Sequence, residues 1–201
     1  MGNKGEIGMY QLSSTNEVAH NIFKTSIDGL WFIKHNKNGD NRGFFSEITL
    51  IPDLEAIIGY QFKIQQINQA RSMENVIRGI HCENWNKLVT VTSGSCFCAI
   101  ADVKKTSPTY KKTETFMLGD GDQDLSGSLF ITKGLGNSLC VVKGPVDYLY
   151  AVDALYRDRD KSGDQAVSLF DPELNIEWPI KQEDMIISDR DKSAVTLGER
   201  E

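Results

Sequence analysis

The sequence predicts an all-β protein, an antiparallel sandwich or barrel. Short segments with alternating apolar and polar residues are separated by turn residues, and stretches with helical periodicity are almost absent. No strand is followed by a long helix, which excludes a doubly wound nucleotide-binding fold. With 201 residues, no internal repeat and no low-complexity segment, the chain is expected to form one domain over residues 1–201.

Residues 1 to about 28 are weakly patterned and read as an N-terminal arm, with Ser13, Ser14, Thr15 and Asn16 suited to capping a short helix. LWFIKH at 30–35 alternates and is rich in aromatic and β-branched residues, which predicts a strand; NKNGDN at 36–41 predicts a turn. A strand starts at Arg42, with Phe44 and Ser46 on one face and Phe45 and Glu47 on the other. Residues 52–58 are the best helix candidate, opened by Pro52 and stopped by Gly59. FKIQQIN at 62–68 returns to strand alternation and sets the amides of Gln66 and Asn68 on one face, suited to solvent or to a polar ligand.

Farther on, residues 87–92 and 96–103 read as two strands of a hairpin turning at Ser93-Gly94-Ser95, and 113–118 as another strand. GDGDQD, within 119–127, lacks the spacing and final Glu of a calcium loop and reads as a solvated loop. Residues 129–132, 139–142 and 146–152 complete the strands, and 156–164 is a charged loop. From 171 to 201 an extended tail, pinned by Pro172 and Pro179, carries Leu174, Ile176 and Trp178 and is expected to lie against the body.

A net charge of −6 without a basic block argues against a nucleic-acid surface. No apolar run is long enough to span a membrane, and the first residues lack the apolar core of a signal peptide, so a cytoplasmic location is expected. There, Cys82, Cys96, Cys98 and Cys140 are expected to be reduced. Cys96 and Cys98 share one strand face, which suits a buried thiol pair or a metal pair.

The stretch NVIRGIHCENWNKLV, residues 75–89, concentrates the chemistry. It sets Arg78, His81 and Lys87 among apolar residues, as expected at the wall of a partly closed cavity. A His for proton transfer beside Arg and Lys suggests chemistry on an anionic substrate. A metal-dependent oxygenase needs several His ligands with a carboxylate, and His20, His35 and His81 are the only histidines.

Seven short motifs occur in order: GDNRGFFSE at 39–47, QIN at 66–68, RGIH at 78–81, KLV at 87–89, SPTY at 107–110, Asp171-Pro172 through Trp178-Pro179, and SDRD at 188–191. Together they resemble the dTDP-4-dehydrorhamnose 3,5-epimerase family, over about residues 30–192. The resemblance implies a cupin-like jelly-roll β-sandwich, a homodimer, no metal or other cofactor, and a nucleotide-diphosphate 4-keto sugar as substrate. It implies inversion at C3, C5 or both, with His81 as base, Asp191 orienting it, Tyr150 as proton donor on the opposite face, and Lys87 at the keto oxygen. Gln66, Asn68, Arg78 and Arg190 correspond to nucleotide, sugar or diphosphate contacts. Arg42 and Glu47 correspond to nucleotide contacts across the dimer.

The chain departs from the family in residues 132–139, TKGLGNSL, where Asn137 replaces the second active-site His. An amide donates a hydrogen bond to a sugar or enolate oxygen but carries no charge. The loop from His81 to Lys87 is shorter than usual, and Leu155 stands where the family often has an aromatic residue. The departures fit an altered substrate, a single inverted centre or weakened activity. A related keto-isomerase or a catalytically silent sugar-nucleotide-binding partner are the alternatives, because a fold does not fix an activity.

Overall fold

A computed structural model describes residues 9–158 and 165–200. Twelve strands and two short α-helices follow in order: β1 Glu17–Ala19, β2 Ile22–Lys24, β3 Leu30–Lys34, β4 Asn36–Asp40, β5 Gly43–Glu47, α1 Ile51–Ile58, β6 Gln66–Ser72, β7 Ile77–Cys82, β8 Lys87–Asp102, β9 Thr113–Gly119, β10 Gly127–Ile131, β11 Leu135–Val152, β12 Gln165–Ala166 and α2 Asp189–Lys192. Ten strands pair antiparallel in one sheet, ordered β1-β2-β3-β10-β8-β11-β7-β12, with β6 also on β11 and β9 also on β8. The all-β jelly-roll reading therefore holds.

Two long strands make this sheet a sandwich. β8 runs for 16 residues and β11 for 18, and they stay paired from Leu135 opposite Asp102 to Val152 opposite Lys87. Their register shifts between Val141 and Tyr148, where both strands bend from one layer into the other. The expected hairpin at Ser93-Gly94-Ser95 is absent as a chain reversal, and the strands expected at 139–142 and 146–152 are parts of one strand, β11, that runs through Gly144-Pro145. Gly94 has φ +80°, and a Cβ there would stand 2.6 Å from the Pro145 carbonyl oxygen. A backbone packed this closely accepts only glycine.

The period-2 alternation then sorts side chains into three apolar clusters. Val89, Val91, Cys96, Cys98, Ile100, Phe116 and Leu129 fill the interior between the layers. Leu88, Phe130 and Ile33 face outward beneath α1 and meet its fully buried Leu54. Phe97, Ala99 and Cys140 face outward on the other layer, beneath a tail that contributes Leu174, Trp178 and Leu197. The tail thus lies on the body as expected, with the Trp178 ring 5.8 Å from that of Phe97.

Two local expectations need correction. Residues 36–40 form strand β4, which pairs only with β5 in a separate ribbon. All five β4 residues are exposed, so a polar sequence loses nothing by being a strand there. Residues 62–65 are not strand: Phe62 is buried edge-on against Phe130, its N–H held by the Glu55 carboxylate. Apolar alternation there reflects packing of a loop, and β6 instead extends to Ser72. In the 119–127 loop, Asp124 accepts hydrogen bonds from Gly121 N–H and the Ser95 hydroxyl and pins the loop to the β8 bend.

Ser13 caps a 3-10 turn at Ser14–Asn16 as its side chain suggested, and β1 and β2 then join the sheet through β3. The remainder of the expected arm, residues 1–8, and residues 159–164 of the charged loop lie outside the described residues.

Candidate active site

Strand parity determines which polar groups enter the sandwich. On β8, Lys87 has the parity of Val89 and Val91, so its side chain points inward and is only 4% exposed. On β11, Tyr148, Tyr150 and Val152 share one face; Tyr150 stands opposite Val89, and Val152 opposite Lys87. Lys87 and Tyr150 are therefore diagonal neighbours on one face. The third strand, β6, sets Asn68 opposite Tyr150 and Gln66 opposite Val152.

His81 reaches the interior from the other layer. Its neighbours Ile80 and Cys82 face outward into the tail cluster, so His81 points inward, paired in register with Asn137 of β11. The Asn137 amide donates to the Tyr148 hydroxyl at 3.2 Å, joining the two halves of β11 across the interior. Arg78, also on β7, donates from Nε to the Ser72 hydroxyl at 2.9 Å.

Asp191 is held behind His81 by one helical turn. Residues 187–191 were expected to be extended, but Ser188 caps α2 by accepting from the Asp191 N–H at 3.2 Å. A serine cap satisfies an otherwise orphaned donor and fixes the turn that aims the carboxylate inward. Oδ1 of Asp191 lies 2.7 Å from His81 Nε2, and Oδ2 accepts from the Gly79 N–H at 3.3 Å. Burial alone would raise the Asp191 pKa; the hydrogen bond and charge of His81, with the Gly79 and Ser188 donors, outweigh it and leave the pKa below its ordinary value. With Asp191 ionised, Nε2 must carry the ring hydrogen. The Nδ1 lone pair is then the one available to accept a proton.

Tyr150 is half-buried and stays protonated to higher pH than an ordinary phenol. Burial is the main cause, followed by the Glu83 carboxylate and Tyr156, while Arg78 acts in the opposite direction. Gln66 donates to Asn68 at 2.5 Å, and its oxygen accepts from the Tyr156 N–H. The structure thus brings together His81, Asp191, Tyr150, Lys87, Asn137, Gln66, Asn68 and Arg78. It does not bring Arg42 and Glu47 to them: both lie exposed on the β4–β5 ribbon, with Arg42 paired to Asp40 of that same ribbon. Arg190 adjoins Asp191 in α2 but is exposed.

A sequence model of the dTDP-4-dehydrorhamnose 3,5-epimerase family matches residues 24–199. The chain belongs to this family. A Streptomyces griseus dTDP-4-dehydrorhamnose 3,5-epimerase is 29% identical over 88% of this chain and 86% of its own. A Streptomyces niveus dTDP-4-dehydrorhamnose 3-epimerase is likewise 29% identical, over 86% of this chain and 82% of its own. Among solved structures, the Legionella pneumophila 3,5-epimerase in complex with dTDP-4-keto-L-rhamnose superposes with a TM-score of 0.78 at 29% identity, covering 89% of this chain and 93% of that one. Membership makes the protein an isomerase of the epimerase type.

Family likeness and pattern together left Glu83 and Tyr148 unmarked. Glu83 pairs with Lys87, and Tyr148 holds Asn137. Parity offered a signal for Glu83, two residues after His81. Cys96 and Cys98 share one inward face with sulfurs 3.5 Å apart. Their mutual hydrogen bond and burial hold the Cys96 thiol well above its ordinary pKa, as suits a packed thiol. Among the described residues, no three His, Cys, Asp or Glu side chains gather as metal ligands. None of the described helices is long and apolar enough to cross a membrane.

Because the folded pKa of Asp191 lies below the ordinary 3.8, ionised Asp191 contributes stability above that pH and loses it as pH falls through the lowered value. Asp191→Asn is therefore expected to be less stable than wild type in urea at neutral pH, with the gap narrowing below about pH 4. A gap unchanged down to the acid limit would contradict this assignment.

Proposed function

We propose that the protein is an epimerase of a dTDP-linked 4-keto-6-deoxy sugar, inverting C3, C5 or both. The observation that carries this reading is the pair of half-buried His81 and buried Asp191 facing the same interior as Tyr150 and Lys87, in a chain of this family. The Legionella relative's bound dTDP-4-keto-L-rhamnose supports the substrate class.

The C4 ketone acidifies the hydrogens on C3 and C5. His81 Nδ1 takes one of them, and Asp191, on Nε2, stabilises the imidazolium that results. Negative charge moves to the C4 oxygen, where the Lys87 ammonium holds it as an enolate in a site shielded from water. Tyr150 returns a proton to the opposite face and inverts the centre. Its raised pKa keeps the phenol protonated at neutral pH. Asn137, fixed by Tyr148, offers an uncharged donor where the family has its second His. Arg78 and Arg190 supply cations for the diphosphate, and Gln66 and Asn68 supply amides for sugar or base.

The same reading includes a homodimer, in which the ribbon reaches a second subunit and brings Arg42 and Glu47 to that subunit's nucleotide. The ribbon's Phe44 and Phe45 are 65% and 68% exposed, which suits a surface covered by a partner. Sedimentation should give a dimer for wild type; a monomer at micromolar concentration would remove Arg42 and Glu47 from the site.

With dTDP-4-keto-6-deoxyglucose in deuterated water, NMR should record exchange at C3, C5 or both, followed by inversion. His81→Ala should lower exchange at least ~100-fold, whereas Tyr150→Phe should exchange without inverting. Binding without exchange, across several 4-keto nucleotide sugars, would point to the silent-partner alternative. Equal retention of exchange and inversion in Tyr150→Phe would take Tyr150 out of the donor role.

A further inference from the structure

The loop between β7 and β8 holds a charged group that the reaction outlined above leaves unused. Glu83 lies two residues after His81 and four before Lys87, and its carboxylate pairs with the Lys87 ammonium. Both members are largely withdrawn from solvent, with side chains 4% exposed for Lys87 and 17% for Glu83. The loop is anchored where it turns: the Glu83 carbonyl accepts from the Gly134 N–H, and Asn86 is held by Asp153 through its backbone N–H at 2.9 Å and its amide at 2.6 Å. The pair is thus fixed at both ends of a short segment.

We propose that Glu83 is a further positioning residue of this active site: its carboxylate holds the buried Lys87 ammonium in place and balances its charge beside Tyr150. This rests on the epimerase reading of the site. A lysine ammonium withdrawn from water needs a counter-charge, and removing one partner of such a pair strands the other. Tied to Glu83, the Lys87 head group is set in one position before substrate arrives. Its remaining N–H donors are left for the C4 oxygen, since an ammonium carries three.

The carboxylate also acts on Tyr150. The charged and titratable groups around that phenol are Arg78 from β7, Lys87 from β8, Tyr148 from its own strand, Tyr156 after β11, and Glu83; β6 presents the uncharged Asn68. Burial does most to keep Tyr150 protonated, and Glu83 is the leading charge acting in the same direction. Loss of the Glu83 charge therefore lowers the pH at which Tyr150 loses its proton. The alkaline limb of activity should move down, while the acid limb stays in place.

The test is a cycle of Glu83→Gln, Lys87→Gln and the double variant, with deuterium exchange and inversion measured across pH beside wild type. Glu83→Gln should lower kcat roughly tenfold and move only the alkaline limb, to lower pH. In the Lys87→Gln background, Glu83→Gln should cost no more than about twofold, because the group it positions is already gone. The double variant leaves no stranded charge, so it reports even if Glu83→Gln folds poorly. Equal losses from Glu83→Gln with and without Lys87, or an unmoved alkaline limb, would overturn the proposal. Absence of exchange in wild type would instead defeat the epimerase reading, and the two failures are distinct.

Discussion

The pairing of β8 with β11 on both sides of their bend is the constraint on which the rest of the molecule depends. These two strands run through both layers, and their ladder resumes with a shifted register beyond the bend at Gly94 and Gly144-Pro145. Had either strand ended at the bend, the layers would be joined only by loops. The shared strands instead tie the inward faces of both layers together, each layer with its own register and inward parity: Val89 and Val91 on one side of the bend, Cys96, Cys98 and Ile100 on the other. Lys87 and Tyr150 are placed by one end of that ladder, and Asn137 by the other, beside His81.

An apolar sandwich interior also supplies the electrostatics. The polar groups that enter it are matched: Asp191 by His81, Gly79 and Ser188, Lys87 by Glu83, and Asn137 by Tyr148. Matching is what allows ionisable groups to persist away from water. It also separates roles. The carboxylate on His81 fixes which ring nitrogen is free, whereas burial and a carboxylate near Tyr150 keep its proton on.

Much of the fold was legible because alternation encodes burial directly, as at β3, β9 and the C-terminal half of β11. Continuity at the bends was not, because Ser-Gly-Ser and Gly-Pro carry the chemistry of chain reversal while serving here as corners. The β4 strand escaped because a solvated ribbon imposes no apolar period. Arg78, His81 and Lys87 stood out locally by residue type. The link from His81 to Asp191 spans 110 residues, so no local pattern encodes it, and the likeness of motifs supplied it. A four-residue helix such as α2 is too short for periodicity, although Ser188 three residues before Asp191 is the mark of its cap. Glu83 escaped because its partner is visible only once the loop folds.

In the proposed mechanism His81 removes a proton next to the ketone because Asp191 fixes its tautomer. The most direct measurement is the single-turnover rate of solvent deuterium entry into bound dTDP-4-keto-6-deoxyglucose for Asp191→Asn against wild type, with binding measured separately. Substrate affinity should change little and the exchange rate should fall by at least ~100-fold, as follows when a buried carboxylate no longer holds the base in its working tautomer. Exchange at the wild-type rate in Asp191→Asn would contradict it.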